Sequence, residues 1–206
     1  MFKALLLALA AVGLAGCVTT AAHNVDVDDI KSLRVERVDV ILDPAAQIGW
    51  KDAQKEYAES RNRQGDSQAT DANVLGTPGY RAFILLRIQS RTKALLEPTL
   101  RQTLAGSRPA VARMTVHGVY VPSLLQAVGT SLVFGVGQIQ SGMTISIDFV
   151  DARTNRVIVA YPKTPVITQG RQGYASLGLT GHFAADPIDR LLAHLQDRLP
   201  QWLLKT

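Results

Sequence analysis

Thiol and imidazole groups are the side chains most often recruited as nucleophiles, bases and metal ligands. This chain of 206 residues has one cysteine, Cys17, and four histidines, His23, His117, His182 and His194. No histidine has a second one three or four residues away, so no metal centre is expected. His117 lies in an apolar alternation and reads as a structural, hydrogen-bonded residue, while His194 reads as solvent-facing on the last helix. Asp26, Asp28 and Asp29 cluster without the glycine and distal glutamate of a calcium loop. Ser90 and Lys93 have the Ser-x-x-Lys spacing that sets an amine one helical turn from a hydroxyl, as an activated serine requires. The strand motif that should accompany them reads Lys163-Thr164-Pro165, with proline where glycine would admit a substrate backbone, and no Gly-x-Ser-x-Gly elbow is present. Gly129, Gly135 and Gly137 lack the Gly-Lys-Ser/Thr of a phosphate loop. Residue chemistry therefore predicts no enzyme and no cofactor.

Cys17 stands in a different setting. Lys3 precedes an uncharged apolar run from Ala4 to Leu14, and Ala15 and Gly16 supply small residues before the cysteine. A positive start, a short apolar segment and small residues form a secretory signal. Eleven apolar residues are too few for a membrane span, which needs about 20. Leu14-Ala15-Gly16-Cys17 resembles the lipobox of bacterial lipoprotein precursors. The resemblance implies a thioether-linked diacylglycerol on Cys17, cleavage before it, and acylation, for example with palmitate, of the new amino terminus. Cys17 is then a lipid attachment site and not a catalyst. One acyl chain anchors marginally, at about 0.8 kcal/mol per buried CH₂, whereas several hold firmly. In that family an aspartate after the cysteine favours the inner membrane. Val18 here implies the outer membrane, with the folded part facing the periplasm.

The remainder is ordinary globular material: 47% apolar and 19% charged residues exclude disorder, and a lone cysteine excludes a disulfide scaffold. The formal charge is +5. Nucleic acid is not an expected partner for an exported chain, and Arg61, Arg63, Arg81, Arg87, Arg91, Lys93 and Arg101 are scattered over helical stretches as on a solvated face. A weak attraction to anionic headgroups is compatible with this charge.

The pattern divides the chain into a signal peptide (1–16), a lipidated tether (17–31) and a single domain (32–206). Residues 33–42 read as a half-buried strand ended by Asp43-Pro44. Residues 51–63 have helix propensity with little apolar face beyond Tyr57, and 64–79 read as a mobile, turn-rich loop. The longest helix, 80–105, shows Phe83, Leu86 and Leu96 or Leu100 near spacings of three and four, with a kink or break at Pro98 and a stop at Gly106. Beyond it the period becomes two. Strands are expected at 110–121, 143–149 and 157–161, the last two forming a hairpin ended by Pro162 and Pro165. Residues 163–185 read as an irregular glycine-rich arm. Asp186 suits an N-cap, Pro187 the first helical position, and Ile188, Leu191, Leu192, Leu195 and Leu199 one apolar stripe. The expected fold class is α+β: a small antiparallel or mixed sheet of about four strands with helices packed on one face.

No Asp, Glu, Lys or Arg occurs between Met114 and Ile147. Connections normally run over the surface and are polar, so the apolar loop 123–142 needs a cover. Either it folds back and fills part of the core, or Leu124, Leu125, Val128, Leu132, Val133 and Phe134 contact a partner protein or dip into lipid. The lipobox together with a small α+β domain resembles accessory lipoproteins of the bacterial envelope, including the lipopolysaccharide-assembly class. That resemblance implies a membrane-anchored, non-enzymatic assembly or interaction subunit with an envelope protein as partner. The alternatives are a periplasmic carrier of a lipid or other apolar ligand beneath the same loop, and a cell-wall hydrolase.

Overall fold

The computed structural model describes residues 22–123, 139–170 and 186–205. Strands β1 (Leu33–Trp50), β2 (Arg108–Val121), β3 (Ile139–Asp151) and β4 (Val157–Gly170) form one sheet in the order β1-β2-β3-β4. β1 and β2 are parallel, and the other two pairings are antiparallel. Five helices are described: α1 (Val27–Lys31), α2 (Lys51–Arg63), α3 (Asp71–Val74), α4 (Pro78–Thr103) and α5 (Pro187–Leu204). The fold is thus α+β with a mixed four-stranded sheet, as the sequence predicts. Helix α4 packs on β1, α5 on β3 and β4, and the two helices on each other. Their common core joins Val38, Val40, Met114, Val116, Ile145, Ile147 and Phe149 of the sheet to Ile84, Ile88, Leu96 and Leu100 of α4 and Leu191, Leu195 and Leu199 of α5.

The N-cap and stripe expected of α5 are both present: the Asp186 side chain accepts from the Ile188 N–H at 2.9 Å, and all five predicted stripe residues are buried. In α4 the stripe differs. Tyr80, Ile84, Ile88, Thr92, Leu96 and Leu100 are the buried set, and Leu86 is 65% exposed. A strict four-residue row faces the sheet because i±4 ridges are what a helix lays into neighbouring grooves. Pro98 does not end the helix. It lies on the exposed side with Ala94, whose carbonyl it leaves unbonded, and water can reach that group. Gly106 serves close approach and not helix capping, since a Cβ there would stand 2.1 Å from the Ser32 carbonyl oxygen. The expected loop 64–79 holds α3, capped by Thr70, and a small cluster of Ala58, Ala69 and Val74 against Tyr57.

Two strands run through prolines that the sequence reads as stops. β1 continues past Asp43-Pro44 to Trp50 because four residues, 43–46, bulge out where the register slips between Leu42 and Gln47. β4 continues through Pro162 and Pro165 because it is an edge strand, and Pro162 and Lys163 occupy the slip opposite Ser146. The other edge is covered differently. Side chains of α4 bond the free backbone of β1 along its length: Glu97 accepts from the Val38 N–H at 3.0 Å, and Arg101 donates to the Glu36 carbonyl. Farther along, Gln89 donates to Val40, Arg81 to Asp43 and Ala46, and the Tyr80 hydroxyl to Trp50. An edge satisfied in this way cannot template another strand.

The β3–β4 turn is organised by Asp151, which accepts from the Thr154 and Arg153 N–H groups at 2.9 and 3.0 Å and from Arg108 at 2.9 Å. The Thr154 N–H first, and then Arg108, hold this carboxyl down at about 2. A folded-state pKa below the ordinary 3.8 contributes stability that is present above the unfolded value and is lost as pH falls from about 4 to 2. Asp151→Asn is therefore expected to lower Tm at neutral pH. The gap from the unsubstituted chain should narrow as pH falls below about 4 and close at about 2, which thermal unfolding across that range will measure.

The sheet has two distinct ends. At one lie the starts of β1 and β2, α1, and the C-termini of α4 and α5; at the other lie Trp50, Val121, Ile139, Gly170 and the N-cap of α5. The fourteen residues of β2 separate these ends by about 45 Å. The chain enters at the first end: His23 Nε2 lies 2.9 Å from the Leu203 carbonyl, and its ring meets Trp202 edge-on at 4.8 Å.

Candidate functional site

The register slips of neighbouring strands fall side by side, and a row of polar side chains crosses them on the sheet face opposite the helices. His117 is the extra residue of β2 between Val116 and Gly118. Its Nδ1 lies 2.7 Å from Asp43 Oδ2, in the β1 bulge, and its Nε2 lies 2.9 Å from Ser146 Oγ on β3. A carboxylate only accepts, so Nδ1 carries a proton toward Asp43, and with the proton there Nε2 of the uncharged tautomer is the atom that accepts from the Ser146 hydroxyl. The Asp43 carboxyl is held below its ordinary value by the Ala45 N–H first, and next by His117.

Asp, His and Ser in this order of contact form the constellation that activates a serine nucleophile. The surroundings differ from such a site. An activated serine sits on a turn beside free N–H donors for the developing oxyanion, whereas Ser146 lies within a central strand, paired with Thr115, and its neighbours Ile145 and Ile147 pair with β4. The row instead ties three strands together where each ladder slips. Ser146 is accordingly expected to remain unlabelled by a fluorophosphonate probe under mass spectrometry. His117→Phe should destabilise the fold by about 1–2 kcal/mol through the polar groups it strands. Labelling of Ser146 that disappears in His117→Ala would reverse this reading.

Beyond the register slips, toward the end where β2 leaves the sheet, an open cleft of about 460 Å³ is lined by Gln47, Gly49, Gly118, Tyr120, Gly142 and Thr144, with Ile48, Pro165 and Ile167 also in the lining. Tyr120 and Ile167 are among the few large apolar side chains that the described residues leave exposed.

The residues singled out by sequence fall as follows. Ser90 and Lys93 are exposed on α4. His117 is hydrogen-bonded on a strand as expected, though its partners Asp43, read as a strand terminator, and Ser146 were not foreseen. His194 is half-buried and not fully solvent-facing, and burial first, then Arg198, lowers its pKa. Among the described residues no group of acidic, His or Cys side chains is placed to hold a metal, and no helix is long and apolar enough to cross a membrane. The signal segment and Cys17, the six apolar residues Leu124, Leu125, Val128, Leu132, Val133 and Phe134, the glycines 129, 135 and 137, and His182 all lie outside the described residues.

No protein-family model matches the chain, and no curated protein matches it in sequence. Among solved structures it is similar to a “putative lipoprotein” from Caulobacter crescentus CB15, at 20% identity and a TM-score of 0.33, over 56% of this chain and 82% of that one. It is also similar to a “putative neuraminyllactose-binding hemagglutinin homolog” from Helicobacter pylori, at 6% identity and a TM-score of 0.23, over 83% of this chain and 87% of that one.

Proposed function

We propose that the chain is an outer-membrane lipoprotein, held by acylated Cys17 with its domain in the periplasm, and that it acts by contact as a non-enzymatic accessory subunit of an envelope protein. The sequence Leu14-Ala15-Gly16-Cys17 supports the anchor. The observation that carries the rest is the polarity of the sheet. Residues 17–23 reach at most about 20 Å when fully extended, and His23 is docked on Leu203 and Trp202. The end bearing α1 and the C-terminus of α5 therefore stays close to the bilayer. The charge-free connection leaves β2 after Val121 and rejoins β3 at Ile139, at the end up to about 45 Å away. An apolar segment attached there, with Leu124, Leu125, Val128, Leu132, Val133 and Phe134, is better placed to meet a partner protein than to enter the membrane that holds the anchor.

Two measurements test this. Metabolic labelling with an alkyne fatty acid is expected to mark the full chain and to fail in Cys17→Ala, which should move from the membrane to the soluble fraction; unchanged fractionation would remove the anchor. A photo-crosslinking residue at Ser123 is expected to give a protein adduct in intact cells that is lost when residues 124–138 are deleted, while the same residue at Asp29 gives none. Lipid adducts from Ser123, or protein adducts that survive the deletion, would overturn the contact role.

A further inference from the structure

Three neighbouring strands carry glycine in the cleft: Gly49 on β1, Gly118 on β2 and Gly142 on β3. The register sets Gly118 beside Gln47 and Thr144, and Tyr120 beside Gly49 and Gly142. Glycine weakens a strand interior and often marks a place where a ligand approaches the backbone. Packing does not require it at two of the three positions. A Cβ on Gly118 would meet only the Gln47 carbonyl at 3.6 Å, and one on Gly142 the Val166 carbonyl at 3.7 Å and Ile167 at 3.9 Å, all ordinary contacts. At Gly49 the neighbour is Tyr120 itself, whose Cδ2 lies 3.0 Å from the position a Cβ would take, so the ring leans over the glycine. Tyr120 remains 57% exposed. The result is an aromatic wall above a floor of bare backbone, with the amide of Gln47 and the hydroxyl of Thr144 within the lining and no charged side chain among the lining residues.

We propose that this cleft binds a neutral saccharide, with one pyranose ring stacked on Tyr120. A pyranose has a face of C–H groups and a rim of hydroxyls. The negative face of an aromatic ring attracts the polarised C–H groups, and the rim is served by groups that both donate and accept, as Gln47 and Thr144 do. The glycine floor admits the ring to the sheet backbone. An acyl chain calls for an enclosed apolar cavity, which this open cleft is not, and an anionic ligand calls for a cation that the lining lacks. The inference goes beyond the tethering role and does not depend on lipidation of Cys17.

Saturation-transfer NMR on the full chain in a zwitterionic, sugar-free detergent tests it, with maltotriose, cellotriose and chitotriose as probes. At least one trisaccharide is expected to receive saturation on its ring C–H protons, with a Kd on the order of 1 mM. Tyr120→Ala should weaken that binding about tenfold, and Tyr120→Phe should retain it. Gly118→Val should abolish it while Tm stays level or rises, because β-branched residues suit strands. Should that variant fail to fold, Gly142→Ala supplies the same obstruction with a single methyl. Absence of transfer to all three probes at about 20 mM, binding indifferent to Tyr120→Ala and to the filled floor, or preference for sialyllactose over the neutral probes would overturn the assignment. None of these outcomes bears on fatty-acid labelling or on crosslinking from Ser123.

Discussion

Arg87→Met is expected to lower the free energy of unfolding by about 2–4 kcal/mol in urea titrations of the full chain. Arg87 projects from α4, with Nε and Nη2 at 3.0 and 2.8 Å from Asp186 Oδ2, Nη1 on Glu56, and its guanidinium 4.8 Å from the centre of the Trp50 ring. Burial by itself disfavours the charge, yet the bonds to Asp186 and then Glu56 outweigh it and hold the pKa above its ordinary value. The Asp186 side chain is only 5% exposed and also caps α5. Methionine preserves much of the stem's packing but removes that carboxylate's close cation, leaving only Arg91 at 3.9 Å, and a poorly paired buried charge is what makes such breaks costly. Adding Asp186→Asn should recover part of the loss, since asparagine still caps the helix and carries no charge. A loss below about 1 kcal/mol in the single variant would show that the pair behaves as a surface ion pair.

Trp202→Ala is expected to cost about 2–4 kcal/mol and to change where the chain is held. Trp202 meets His23 edge-on at 4.8 Å and Tyr161 of β4 at 4.9 Å, so one indole joins the entry segment, the last helix and an edge strand. Its removal leaves a cavity beside Tyr161 and takes away the surface on which His23 rests. The tether then lengthens from residues 17–23 to about 17–26, which adds on the order of 10 Å of reach. Urea unfolding measures the cost, and limited proteolysis at residues 18–25 should become faster than in a control such as Leu86→Ala. Equal proteolysis rates would mean that the entry segment is held by the bonds of His23 to Leu203 and of Lys205 to Val25 without the indole.

Much of the architecture was legible because its causes are local. Alternation at Met143, Ile145, Ile147 and Phe149 reports one strand lying on one core. Asp186-Pro187 followed by the leucine stripe reports a capped helix with one buried side, and both features need only neighbours within a few residues. Residues 33–42, 51–63 and 110–121 were read for the same reason. Where those readings stopped short, the missing information was an element's place in the sheet. A proline ends a central strand but not an edge strand or a bulge, so Pro44, Pro162 and Pro165 could be interpreted only once β1 and β4 were known to be edges. Phe83 and Leu86 fit helical spacing as well as Ile84 and Ile88 do, and only the contact with β1 selects the second row.

By itself the sequence determined an α+β fold and the capped final helix, and it raised the expectation of a lipid on Cys17. Periodicity, capping and short motifs act over a few residues and need no partner from elsewhere in the chain. The tertiary structure alone decided that Asp43, His117 and Ser146 meet across three strands, that Gly49, Gly118 and Gly142 share one cleft under Tyr120, and that the entry of the chain and its charge-free connection lie at opposite ends of the sheet. Each of these joins residues many positions apart through strand register, and register is set by how the whole hydrophobic pattern settles against α4 and α5.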